Sequence, residues 1–172
     1  VRERAAIITI SSSKAGQGLR GGDSGAGGAG ADESGPRLAA LVERLGLELA
    51  GRDLIADDRA LIADRLRHWA DAERCALILT SGGTGLSPSD VTPEATSAVI
   101  ERDAPGIAEA MRDASRPHTP NWMLSRAVAG TRGATLIVNF PGSPASIDQT
   151  GEALAGPLAH ALALIAGRPA GH

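Results

Sequence analysis

Three short, continuous apolar runs constrain this chain more than anything else in it: Ala5 to Ser11 (AAIITIS), Cys75 to Thr80 (CALILT) and Thr135 to Phe140 (TLIVNF). Each is too short for an ordinary helix, and none alternates apolar with polar residues. A strand covered on both faces reads this way, and such strands belong to parallel sheets with helices above and below. Helical spacing fills the intervals. Leu38, Leu41, Val42 and Leu45 form one stripe, Leu61, Ile62, Arg65, Leu66 and Trp69 a second, and Leu154, Leu158, Leu162 and Ile165 a third. The sequence therefore predicts an α/β fold, a mostly parallel sheet with helices on both faces.

Local signals place the element ends. Ser34 and Pro36 open the first helix, and Gly46 ends it in a left-handed conformation. Leu47 to Ile55 reads as a weaker strand near a sheet edge. About fifty residues separate the second and third apolar runs, with two or three short helices, one starting at Pro93. Ser143 and Pro144 start the last helix, which Pro157 is expected to kink or restart. Residues 14–33 are rich in Gly, Ala and Ser and are expected to form a flexible loop within one domain spanning 1–172.

Composition narrows the function classes. With two Trp, one Phe and no Tyr, the chain has too few aromatics for a base-stacking platform, so nucleic acid is not an expected partner. A formal charge of -3 leaves any anionic ligand to local backbone amides and a few arginines. Cys75, the single cysteine, excludes an intrachain disulfide and a Cys-rich zinc site and reads as a small buried apolar group. No run approaches the ~20 apolar residues of a membrane span, and the N-terminus lacks a secretion-signal pattern. A cytoplasmic protein is expected.

Ligands of open α/β sheets sit outside the carboxyl ends of the strands. The first run leads into Ser11, Ser12, Ser13 and Lys14, and the second strand into Asp57 and Asp58. The third leads into Ser81-Gly82-Gly83-Thr84-Gly85, and the last into Pro141-Gly142-Ser143. Hydroxyls, glycines and carboxylates thus gather at one rim, which is the predicted site. Gly16 to Gly21 matches GxGxxG, but more glycine follows where a dinucleotide fold needs a helix, so a loop is the better reading. Ser81 to Gly85 can turn sharply and offer N–H groups to an anion. No Gly-Lys-Ser/Thr follows, and a ligand-free tight turn fits equally well. Asp57 could cap a helix and Asp90 could serve a turn before Pro93. Lys14, Arg126 and Arg132 are either phosphate contacts or solvated charges. His68, His118, His160 and His172 show no metal-ligand spacing. Met111, Met123 and Trp122 are expected in core or subunit contacts.

The string Ser81-Gly-Gly-Thr-Gly-Leu-Ser-Pro-Ser-Asp90-Val-Thr-Pro-Glu-Ala-Thr96 resembles the signature of the molybdopterin adenylyltransferase family (MogA/MoaB proteins and the gephyrin G domain). Asp32-Glu-Ser-Gly-Pro-Arg37, Asp57, Leu124-Ser125-Arg126 and Asn139-Phe-Pro-Gly-Ser143 extend the match over nearly the whole chain. The resemblance implies a three-layer α/β/α fold, a homotrimer, and transfer of AMP from Mg-ATP to the terminal phosphate of molybdopterin. It implies catalytic roles for Asp57, Asp90 and Ser125. Ligand binding falls to Ser81, Gly82, Gly83, Thr84 and Gly85, to Pro141, Gly142 and Ser143, and to Ser12 and Ser13 after the first strand. Two carboxylates beside a triphosphate need a cation between, so Asp57 and Asp90 are also the expected Mg²⁺ ligands. Family members often carry Asp where this chain has Ser12, and Arg where it has Ser89. That difference motivates the alternative of a non-catalytic molybdopterin carrier.

Overall fold

The apolar runs form the centre of a six-stranded sheet. In the computed structural model, which describes residues 2–11 and 32–169, the strands are β1 (Arg4–Ile10), β2 (Glu48–Ile55), β3 (Leu77–Ser81), β4 (Arg102–Asp103), β5 (Ala129–Arg132) and β6 (Thr135–Phe140). Their order is β2-β1-β3-β6-β5-β4. β2, β1, β3 and β6 are parallel, whereas at the far edge β5 pairs antiparallel with β6 and β4 antiparallel with β5. β3 and β6 are buried at every position, while β2 at the other edge is only partly covered.

Alternate side chains of these strands feed two cores. Ile7, Leu79 and Val138 pack against α1 (Ser34–Arg44), α4 (Pro105–Ser115) and α5 (Pro144–Ile165) through Leu38, Met111 and Leu158. Ile8, Ile78 and Ile137 pack against α2 (Arg59–Arg67) and α3 (Thr92–Ser97) through Ile62, Leu66 and Ala95. The result is the expected three-layer α/β/α arrangement. Each fully buried aliphatic side chain stabilises by roughly 1.5–3 kcal/mol, so β1, β3 and β6, buried at almost every position, hold their share of the rim firmly.

Three details refine the sequence reading. Leu61 is 39% exposed, because the stripe of a nine-residue helix is narrow and Ile62 and Leu66 occupy it. Arg65 and Trp69 are joined instead by Asp53 of β2. Its carboxylate accepts from Arg65 Nε at 2.8 Å and from Trp69 Nε1 at 2.7 Å. Pro157 lies inside α5 without ending it; Thr150, Leu154, Leu158 and Leu162 are buried on both sides of the proline, and that packing offsets the lost backbone hydrogen bond. Met123 is 59% exposed, so of the two methionines only Met111 lies in the core.

The start of α1 is held by Asp32, not by Ser34. Asp32 Oδ1 accepts from the backbone N–H groups of Ser34 (3.1 Å) and Gly35 (3.0 Å). Its Oδ2 accepts from Thr9 Oγ1 of β1 and Arg52 Nη2 of β2, each at 3.1 Å. Burial opposes ionisation of this carboxyl, but the Gly35, Thr9 and Arg52 hydrogen bonds outweigh it and hold the pKa below its ordinary value of 3.8. A depressed carboxyl stabilises the folded state above the unfolded pKa, and the contribution is lost as pH falls through the folded value. Asp32→Ala is expected to cost about 1–2 kcal/mol near neutrality. The gap between wild-type and variant urea midpoints should narrow below about pH 4; a gap that stays constant to pH 3 would contradict this role.

Candidate active site

The carboxyl ends of β1, β2, β3 and β6 form one rim. Register pairs Thr9 with Ser81, Ile10 with Ile55, and Ser81 with Phe140, so the segments that follow these strands emerge side by side. The β3 loop passes over the strand ends themselves. Gly82 has φ +95°, and a Cβ there would lie 2.4 Å from the carbonyl oxygen of Ile10; only glycine fits such a conformation and approach. Gly82 N–H donates to Phe140 O at 3.3 Å, and Ser81 Oγ to Pro141 O at 3.4 Å. Ser34 Oγ donates to Gly142 O at 3.0 Å, which brings the N-terminus of α1 against the β6 loop.

Two carboxylates meet this glycine loop. Asp57 Oδ1 stands 3.0 Å from where a Cβ on Gly83 would lie, and Asp90 Oδ2 stands 2.8 Å from the corresponding point on Gly85. Both aspartates are half-buried. The helix-cap reading of Asp57 fails on its neighbour: Asp58 caps α2, its Oδ1 accepting from Leu61 N–H at 2.9 Å. The turn reading of Asp90 holds in part, since Oδ2 accepts from Ser87 N–H at 3.1 Å. One carboxylate can close a turn and still face the loop.

Ser125 follows a short 3₁₀ turn, Trp122–Leu124, and its Oγ accepts from Ala127 N–H at 3.3 Å. Ser125 and Pro141 border one cavity of about 120 Å³, shared with Arg112, Asn121 and Thr150. The backbone N–H of Arg126 donates to Thr84 O at 2.9 Å, so Ser125 adjoins the glycine loop. Gly142 and Ser143 are exposed at the rim, whereas Ser81 and Thr84 are buried in the loop. Ser12, Ser13, Lys14, Gly16 to Gly21 and His172 lie outside the described residues. Arg132 sits at the opposite end of the sheet, paired with Thr135 in register and bound to Asp71.

Much of the Asp-Val-Thr-Pro-Glu-Ala-Thr run proves to be a buttress. Thr92 Oγ1 donates to Gly82 O at 3.0 Å, and Thr92 N–H to Gly83 O at 3.1 Å. Thr96 Oγ1 and Thr80 Oγ1 accept from Asn139 Nδ2 at 2.9 and 3.0 Å. All four of these side chains are fully buried. Sequence reasoning missed these roles. The available signal was a polar residue, Asn139, inside an otherwise apolar central strand, which a core tolerates only when its hydrogen bonds are met.

A family model described as "Probable molybdopterin binding domain" matches residues 6–161. A curated "Molybdopterin adenylyltransferase" of Helicobacter pylori is 41% identical over 115 residues, which is 67% of this chain and 65% of the relative. One from Escherichia coli is 46% identical over 97 residues, 56% of this chain and 50% of the relative. The chain thus spans between half and two thirds of the length of these curated relatives. The crystal structure of the "Molybdopterin biosynthesis enzyme MoaB" from Thermus thermophilus superposes with a TM-score of 0.83 at 41% identity, covering 98% of this chain and 99% of that one. Sequence match, fold and rim agree, and the chain belongs to the family of probable molybdopterin binding domains.

Proposed function

We propose that this chain is a molybdopterin adenylyltransferase, moving AMP from Mg-ATP to the terminal phosphate of molybdopterin. The relatives named for that activity support it. The observation that carries it is that Asp57 and Asp90, far apart in sequence, each stand against one glycine loop, at Gly83 and Gly85. In this reading a phosphate oxygen of molybdopterin forms a bond to the α-phosphorus of ATP. The bond from that phosphorus to the bridging oxygen breaks, and its electron pair leaves with pyrophosphate. The attacking phosphate is already largely ionised near neutrality, so no strong base is required and positioning dominates.

Mg²⁺ fits the residues present. Among the described residues no cluster of three or more His, Cys, Asp or Glu could cage a metal. Mg²⁺ needs only one or two carboxylates when phosphate oxygens and waters complete its shell, and Asp57 and Asp90 would supply them. Bound there, it would neutralise phosphate charge. The glycine-loop N–H groups would hold phosphate oxygens, with Pro141, Gly142 and Ser143 closing the far side. Ser125, beside the cavity, would orient the acceptor.

Purified protein incubated with molybdopterin and Mg-ATP is expected to release pyrophosphate and form adenylyl-molybdopterin. Binding of molybdopterin without pyrophosphate release would instead mark a carrier. A homotrimer also belongs to this proposal. Light scattering should give three times the 17.4 kDa chain mass, and a monomer would refute it. No helix among the described residues is long and apolar enough to cross a membrane.

A further inference from the structure

Arg126 grips the rim loop at several points without needing a ligand. Its Nε donates to the carbonyl of Gly85 at 2.7 Å and its Nη2 to the carbonyl of Asp90 at 2.8 Å. Its Nη1 donates to the carboxylate of Glu94, and its backbone N–H holds Thr84 O at 2.9 Å. One guanidinium thereby fixes both ends of the segment Gly85 to Asp90. Between those ends, Leu86, Ser87, Pro88 and Ser89 are all exposed. Among the described residues the Ser87 hydroxyl meets that of Ser89, at 3.0 Å. An exposed turn with so few buried contacts would open at little cost if its ends were released. Within the turn the Asp90 carboxylate accepts from Ser87 N–H and Asp90 N–H donates to Ser87 O, and Arg126 ties the turn as a whole to Gly85, Asp90 and Glu94.

The residue types suit that task. Arginine offers five donors on three nitrogens in a rigid plane and so reaches acceptors on separate sides, whereas the three donors of a lysine ammonium share one nitrogen. Glu94 holds the guanidinium from α3, and the hydrogen bond from Arg126 keeps its carboxyl below the ordinary range. The other oxygen, Glu94 Oε2, is buried with no hydrogen-bond partner among the described residues.

We infer that Arg126 is a positioning residue for this site, acting through Asp90 and itself held by Glu94. The inference rests on the adenylyl-transfer reading, because it takes Asp90 as the group being placed.

The test is a double-mutant cycle read by pyrophosphate release at varied Mg²⁺ and ATP, with melting temperatures measured alongside. Arg126→Ala should lower kcat by on the order of a hundredfold, as small misplacements of reacting groups do, and raise the Mg²⁺ concentration giving half-maximal rate. In an Asp90→Ala background the same substitution should change the rate little, because two residues acting as one unit are non-additive. Arg126→Lys should stay near the alanine variant; recovery of wild-type rate by lysine would show that charge alone mattered and would overturn the inference. So would a full, multiplicative loss in the Asp90→Ala background. Glu94→Gln is expected to shift kcat and Mg²⁺ dependence in the same direction by a smaller factor. If Arg126→Ala does not fold, Glu94→Gln carries the same cycle with Asp90. Wild-type protein that releases no pyrophosphate would refute the reaction but not the clamp. Calorimetric binding of Mg-ATP then decides: weaker binding by Arg126→Ala supports positioning, and equal binding overturns it.

Discussion

Asp57→Ala and Asp90→Ala are each expected to slow AMP transfer by on the order of a thousandfold, the rate equivalent of losing several kcal/mol of charge stabilisation. The reason is electrostatic. A triphosphate brought to a loop flanked by two carboxylates is repelled unless a cation lies between, and each aspartate removed takes away one of the two anchors that would place it. Both positions are half-exposed at the rim, so the variants should fold. Among the described residues Asp90→Ala forfeits the turn contact to Ser87 N–H, a loss of roughly 0.5–1.5 kcal/mol. Binding of molybdopterin should survive in both. Pyrophosphate release measured against Mg-ATP concentration checks this, and full turnover in both variants would remove the mechanism.

Asn139→Ala is expected to be the most destabilising single change near the site. The amide of Asn139 is wholly buried between β3, α3 and the approach to β5. It donates to Thr80 and Thr96, and its Oδ1 accepts from Val128 N–H at 3.2 Å. Alanine would leave that N–H without the side-chain acceptor, strip both threonines of a shared donor and open a small void. At about 1–3 kcal/mol for each polar group left unmet, the total comes to about 4 kcal/mol, a large share of the roughly 5–15 kcal/mol that holds a typical domain together. Activity should fall as well, because the Thr96 contact helps seat α3, and α3 carries Thr92 against Gly82. Urea denaturation of the two proteins measures the first effect; a midpoint shift equivalent to less than about 1 kcal/mol would mean that the network is slack.

The central strands could be read from the chain because their burial on both faces leaves no alternation. Cys75 to Thr80 and Thr135 to Phe140 match β3 and β6 to within two residues at either end. Gly46 adopts the left-handed φ of +73° predicted for the end of α1. The short strands β4 and β5 were invisible for a related reason. Arg102–Asp103 and Ala129–Arg132 are too short, polar or glycine-containing to carry any periodicity, and they are strands only because β5 pairs with β6 and β4 with β5. At the rim, Asp57 and the glycines could be named in advance because they directly follow strand ends, whereas Asp90 is picked out by the family signature around it. The division of labour could not. Asp57 and Asp58 are equivalent as sequence, and only the hydrogen bond from Leu61 N–H identifies Asp58 as the cap. Arg126 reads as a loop cation, either solvated or on a phosphate, until its donors are traced to Gly85, Asp90 and Glu94. Such assignments depend on long-range contacts that no local pattern encodes.

A crystal structure of the protein with Mg-ATP bound would examine the proposed site most directly. The carboxylates of Asp57 and Asp90 should share one Mg²⁺ with the phosphate oxygens, and the N–H groups of Gly82 to Gly85 should point at the same phosphates. Nucleotide bound elsewhere, or bound at the rim with either aspartate turned away from the metal, would contradict it.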